Sequence, residues 1–226
     1  PEDPYKLTEE ESRIIRRLRR AFLRCEKLQK HIRFLYAKGS LYKRYNGNLL
    51  FHGGIPINED GTFYEMFYNG KSYNGKTFMD YADRVARKAY EQRDQDSLDY
   101  MWYLWCGDKS PVSGRVVKTF ERTYIEDKKT WKEPQDPYYT WEKDPDTCVR
   151  ILHEFGIDSP QGHIINGHTP VKVVQGESPI RAGGKALCID GGFCRAYQSS
   201  TGIAGYTLIF NSHGLRIKAH YPFKNV

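Results

Sequence analysis

The chain has 226 residues, 39% of them apolar and 14% aromatic, with a formal charge of +7. That is length and apolar content enough for one large domain or two small ones. No apolar run approaches the roughly 18 residues that a bilayer span needs, and no DNA- or RNA-binding signature accompanies the positive charge. The five cysteines are odd in number and form no Cys-x-x-Cys pair, which argues against a disulfide framework and for a reduced, cytoplasmic protein. Nothing at the opening Pro1-Glu2-Asp3-Pro4 reads as a signal peptide. The surplus charge has two readings, a solvated surface rich in lysine or a surface for an anionic or phosphorylated partner.

Thr8-x-x-Glu11 is a capping box, and a single helix of roughly 28 residues is expected behind it. Ile14, Ile15, Leu18, Ala21, Phe22, Cys25, Leu28, Ile32 and Leu35 fall on one stripe at helical spacing. Arg13, Arg16, Arg17, Arg20, Arg24 and Lys27 form a neighbouring basic stripe, which reads as a solvated face or as a partner surface. Lys38-Gly39 ends the helix. Residues 49–52 form a short strand, residues 58–61 a turn, and residues 63–73 strand and loop. Residues 75–92 form a helix with Phe78, Tyr81, Ala82, Val85 and Ala89 inward. The aromatic run 97–106 reads as core rather than as a ligand platform. Residues 107–139 are loop-rich. Residues 144–155 form a helix opened by Asp144-Pro145 and closed by Gly156.

From His163 onward short apolar runs alternate with glycine turns: 164–165, 171–174, 186–190, 203–211 and 215–219. That pattern predicts strands of a sheet. Helices first and strands later suggest mixed sheets flanked by helices, an α+β or α/β chain. The division expected is a helical segment over 1–47 and a mixed helix and sheet part over 48–226.

Two places carry the chemistry. Leu49-Leu50-Phe51-His52-Gly53-Gly54 is an apolar strand ending in a histidine and two glycines. His163-Ile-Ile-Asn-Gly-His-Thr-Pro-Val171 is a second strand that delivers His168 into a tight turn. An imidazole on a rigid corner is a good metal ligand. His163 opens the strand that His168 closes. On an extended chain the two point to opposite faces, so His163 is expected to support the site or the structure rather than to ligate. Asp190 closes the run 186–190 before Gly191-Gly192. It reads as a turn cap or as the acceptor that orients a ligand histidine. Metal-assisted hydrolysis commonly uses two ions bridged by a carboxylate. The sequence holds no Asp-x-His, no Gly-Asp-x-x-Asp-Arg and no Gly-Asn-His to supply it.

With these elements the chain resembles the calcineurin-like metallophosphoesterases. Phe51-His52-Gly53-Gly54 looks like the lone His-Gly element of that superfamily, Asn166-Gly167-His168-Thr169-Pro170 like its Gly-His element, and Cys188-Ile-Asp-Gly-Gly192 like the Asp-x-Gly strand after it. The strings at 26–36, 45–50, 100–107, 120–128 and 201–208 resemble, more narrowly, the class III fructose-1,6-bisphosphatases of Firmicutes. Where those usually read His-Gly-Cys-Ile-Pro, this chain has His52-Gly-Gly-Ile-Pro56.

The resemblance implies the C-terminal part of a metallophosphoesterase sandwich, with the first three metal motifs lying upstream. It implies manganese, with His52 and His168 as ligands of one ion and the carboxylates missing. It implies hydrolysis of the sugar bisphosphate fructose 1,6-bisphosphate in gluconeogenesis. Arg122, Lys172, Arg181 and Lys185 are the candidate phosphate contacts, each with ordinary surface charge as its alternative. This stretch by itself is expected to be inactive and to self-associate or to need the missing part, since unpaired sheet edges invite pairing. Two other readings stand beside it: a phosphatase of the same fold acting on a phosphoprotein or a dinucleotide, and a non-catalytic assembly module.

Overall fold

A computed structural model describes residues 3, 5–192, 194–202 and 205–221. It divides into two compact units, Pro1–Ser40 and Leu41–Val226.

The first unit is two helices, α1 (Glu9–Arg24) and α2 (Glu26–Lys38). The capping box forms as expected: Glu11 N–H donates to Thr8 Oγ1 and Thr8 N–H to the Glu11 carboxylate. The single long helix does not form. Cys25 leaves the helical region, at ψ 99°, and interrupts the hydrogen-bond ladder although no proline or glycine stands there. The break is bridged by a side chain, because Gln29 Nε2 donates to the Phe22 carbonyl that the break frees. Neither helix contains a buried residue. The apolar stripe lies open, with Phe22 and Leu35 each more than 60% exposed.

The second unit is built on a five-stranded mixed sheet. Its strands are β1 (Tyr42–Tyr45), β2 (Asn48–Phe51), β5 (Ile164–Asn166), β7 (Ala186–Cys188) and β6 (Ile180–Arg181), in the spatial order β1-β2-β5-β7-β6. Residues 42–45, inside the segment read as helical, thus begin the sheet. β2, β5 and β7 run parallel, with Leu49 beside Ile164 and Ile164 beside Ala186. β1 and β6 close the edges antiparallel. The parallel strands are almost wholly buried, which is why they read as continuous apolar runs rather than as alternating ones. A hairpin of β3 (Met66–Tyr68) and β4 (Lys71–Tyr73) leads into α3 (Gly75–Glu91) and α4 (Gln95–Cys106). After them come α5 (Thr119–Tyr124), α6 (Tyr138–Trp141) and α7 (Pro145–Glu154). A short α8 (Gln198–Thr201) precedes the hairpin of β8 (Gly205–Asn211) and β9 (Gly214–His220). Ile203 and Ala204 of the predicted run 203–211 lie outside the described residues.

The main core joins Leu49, Phe51 and Ile164 of the sheet to Ile151, Leu152 and Phe155 at and after α7. α7 is set as its sequence suggests: Asp144 accepts from Thr147 N–H, Pro145 occupies the first turn, and Gly156 follows at φ 68°. α3 buries Phe78, Met79, Ala82, Ala86 and Ala89, while Tyr81 and Val85 stay half-exposed. The inward face is therefore turned by about one residue from the expected one. The aromatic run forms α4, and only part of it is core. Tyr100 and Leu104, one turn apart, are buried. Trp102 and Trp105 fall on the opposite side, where they pack with Phe120 and remain about half exposed. The predicted strand at 171–174 is absent. Pro170 cannot donate to a ladder, and Val173–Gln175 is a 3-10 turn with Val171 alone buried.

Candidate functional site

Three parallel neighbours deliver their carboxyl ends to one edge of the sheet. β2 ends at Phe51 and passes into His52. β5 ends at Asn166 and passes into Gly167-His168. β7 ends at Cys188, with Asp190 two residues on. The ladder continues into the loops: Gly167 N–H donates to the His52 carbonyl at 3.1 Å and Ile189 N–H to the Asn166 carbonyl at 3.0 Å. The crevice outside such strand ends is where open α/β sheets bind ligands.

His52 and His168 meet there. His168 Nδ1 lies 2.9 Å from His52 Nε2, and the rings approach edge to face with centroids 4.7 Å apart. His168 is held with its backbone at φ 65°. Thr169 N–H closes back on the Gly167 carbonyl at 2.7 Å, a three-residue turn centred on the histidine. Turns of that hand are rare and strained for a residue carrying a side chain, and such strain persists only where the surrounding structure overrides it.

The glycines beside His52 are required by contact. A Cβ on Gly53 would stand 2.5 Å from the Pro111 carbonyl oxygen and 2.6 Å from that of Val112. One on Gly54 would stand 2.7 Å from the Tyr138 ring. The loop 110–113 therefore presses on the His52 corner, and Gly54 N–H donates to Pro111 O at 3.1 Å. His168 is half-buried, and burial holds its imidazole below the ordinary histidine range. His52 and the Arg115 guanidinium push the same way, while a hydrogen bond to the Ser113 backbone and the Asp190 carboxylate oppose them. The neutral ring that results is the form that ligates metal.

The other expected residues divide. Asp190 caps its turn, accepting from Gly192 N–H at 2.9 Å, and its Cβ stands 3.6 Å from where a Gly167 Cβ would be. His163 sits at the opposite end of β5, with Nδ1 on the Gly184 carbonyl at 2.7 Å and its N–H on Asn48 Oδ1. Arg122 contacts the Trp131 carbonyl and Glu133. Lys185 Nζ donates to the Pro160 carbonyl. Lys172 is exposed, its N–H on Glu177. Arg181 is half-buried against the buried Glu142. A cavity of about 390 Å³ opens beside Thr169, lined also by Tyr139, Glu142, Glu177, Ile180 and Arg181.

Sequence reasoning did not single out Ser113, Arg115, Asn166 or Glu142. Asn166 carried a signal, being a polar residue at the end of an apolar strand. Ser113 and Arg115 lie in a loop-rich stretch without a pattern, and Glu142 follows the short α6 with no pattern of its own.

As a metal site the edge is half built. Two imidazole nitrogens facing each other suit a divalent ion, since two nitrogens bound at right angles about 2.1 Å from one ion stand about 3 Å apart. Among the described residues, however, no group of three or more histidines, cysteines or carboxylates converges to hold an ion. No described helix is long and apolar enough to cross a membrane.

The sequence model of a family described as Firmicute fructose-1,6-bisphosphatase matches residues 1–226. The chain is 55% identical to a class 3 fructose-1,6-bisphosphatase of Clostridium tetani, 53% identical to one of Clostridium novyi and 52% identical to one of Clostridium acetobutylicum. All of this chain is covered in the first two and 98% in the third, against 35%, 35% and 34% of those proteins. The chain thus spans about a third of the length of the curated relatives it matches. No solved structure matches it.

Proposed function

This chain belongs to the Firmicute fructose-1,6-bisphosphatase family, and from that premise we propose that His52 and His168 are the nitrogen donors of a metal-dependent phosphatase centre. Its reaction is the hydrolysis of fructose 1,6-bisphosphate to fructose 6-phosphate and phosphate, a cytoplasmic step of gluconeogenesis. The observation that carries the reading is the pair of facing imidazole nitrogens at the carboxyl edge of the sheet, 2.9 Å apart, one of them on a strained turn. An isolated surface histidine needs no strain. A histidine that must face another across two strands gains from it.

Manganese is the ion proposed, in a calcineurin-like sandwich whose carboxylate ligands come from the part of the relatives that this chain does not cover. When bound, the ions supply charge stabilisation at phosphorus and a water that loses its proton near neutral pH. The chain's own residues position. The Gly167–His52 hydrogen bond fixes the spacing of the two rings, and the Gly53 and Gly54 contacts fix the direction of the first. Arg115 brings positive charge to the same edge, where a phosphate would be favoured.

The test compares the 226-residue chain with a longer polypeptide of the relatives' full extent, each with manganese and fructose 1,6-bisphosphate. Turnover by the longer form, absent from the shorter one and lost by at least about 100-fold on His168→Ala, is expected. Full activity of the longer form after both His52→Ala and His168→Ala contradicts the proposal. Preference for a phosphopeptide or a dinucleotide over the sugar bisphosphate would redirect it within the same chemistry.

A further inference from the structure

Beneath the His168 corner lies a group of buried polar side chains that the proposed chemistry does not use. Glu142, directly after α6, is 1% exposed and pairs with Arg181 of β6. Its other carboxylate oxygen accepts from Asn166 Nδ2 at 3.1 Å. Asn166 is 2% exposed, and Nδ2 also donates to the hydroxyl of the fully buried Tyr138, at 3.0 Å. Asn166 is the last residue of β5, two positions before His168.

The chemistry fixes the direction of this amide. A carboxylate facing a guanidinium only accepts, so the nitrogen end of Asn166 must point to Glu142. The amide oxygen is then left buried with no hydrogen-bond partner among the described residues. A buried ion pair is itself often no more stable than apolar side chains of the same volume. What the arrangement does achieve is position. Asn166 is clamped from below by its side chain and from the side by Ile189 N–H. The next peptide, at Gly167, carries the hydrogen bond to the His52 carbonyl.

We infer that Glu142, anchored by Arg181, is a positioning residue that locks Asn166 and so holds the strained His168 turn against His52. The inference rests on the reading of His52 and His168 as paired donors, and it adds a function for a buried ion pair that touches neither ring. On it Arg181 serves the site from beneath rather than by meeting a phosphate.

The experiment separates position from stability. In the full chain, Glu142→Met with Arg181→Met removes the pair and preserves its volume. The thermal midpoint should hold or rise. The amide of Gly167 should exchange its hydrogen about 10-fold faster, with Leu50 in β2 as an unaffected reference. Manganese, titrated alone, should bind about 10- to 100-fold more weakly. Glu142→Gln keeps an acceptor for Asn166 and should restore both. Unchanged Gly167 exchange in the double variant overturns the inference. So does a loss of protection spread evenly over the sheet, which marks a merely structural pair. Should the double variant fail to fold, Asn166→Ala decides on the same exchange readout, because it cuts the link and leaves the ion pair. If a polypeptide of the relatives' full extent binds no manganese, the metal reading fails, while the exchange comparison still decides the positioning role.

Discussion

The two units put their apolar residues to opposite ends. In α1 and α2, apolar residues recur at helical spacing from Ile14 to Leu35, and none is buried. In β2, β5 and β7, runs of three or four residues without any period are almost completely buried. Periodicity therefore reports which face is apolar and says nothing about what covers it. The buried strands owe their position to each other, β2 to β5 across more than a hundred residues of chain. That mutual burial allows their ends to hold a strained histidine, whereas the helices, stabilised by local caps, hold no comparable strain.

This contrast is easiest to break by truncation. Leu49→Ala in β2 should cost about 2–5 kcal/mol, while Leu18→Ala in α1 should stay within about 0.5 kcal/mol. Denaturant melts of the two variants check this, and equal losses would show that the helix stripe is covered in solution. Next in size is Gly53→Ala. With two carbonyl oxygens closer than 3.0 Å to the new methyl, overpacking should cost about 1–3 kcal/mol. The matching change in the helical unit, Ser12→Ala, should be close to neutral.

His168→Gly sharpens the comparison from the other side. Relief of the positive φ should raise stability by about 1 kcal/mol, whereas His168→Ala, which keeps the strain, should not. Chemical denaturation of the two variants decides, and a loss of stability with glycine would mean that the turn is not strained.

The smallest effect is acidic. Asp144 caps α7 and Glu11 closes the box on α1. Hydrogen bonds from Thr147 and from Thr8 hold their carboxyls below the ordinary range. A lowered folded value means that each contribution is complete above the usual carboxylate pKa and is lost as pH falls through the folded one. Helicity followed by circular dichroism should therefore decline only below about pH 4. A decline that began near neutrality would contradict the capping assignment.

Much of this was readable beforehand because the signals are local. Thr8 and Glu11, Asp144 with Pro145 and Gly156, and the glycines after His52 and before His168 each act on their own few residues. What could not be read depends on distant partners. The break at Cys25 is sustained by Gln29 reaching back to Phe22. The outward side of α4 was hidden because tryptophan and tyrosine are both apolar by count, and only the helix turn separates Trp102 from Tyr100. His52 and His168 could be picked out as candidates, but their separation follows from β2 and β5 being neighbours. Glu142 announces nothing in the sequence, since a glutamate after Thr140-Trp141 looks like surface until Arg181 and Asn166 are seen around it.

The most direct test of the shared centre needs only weak binding. In the chain labelled with 15N-histidine, substoichiometric manganese should broaden the ring resonances of His52 and His168 together, ahead of His31, His153 and His163. Broadening of only one of the pair, or of all the histidines alike, would contradict a common ion between residues 52 and 168.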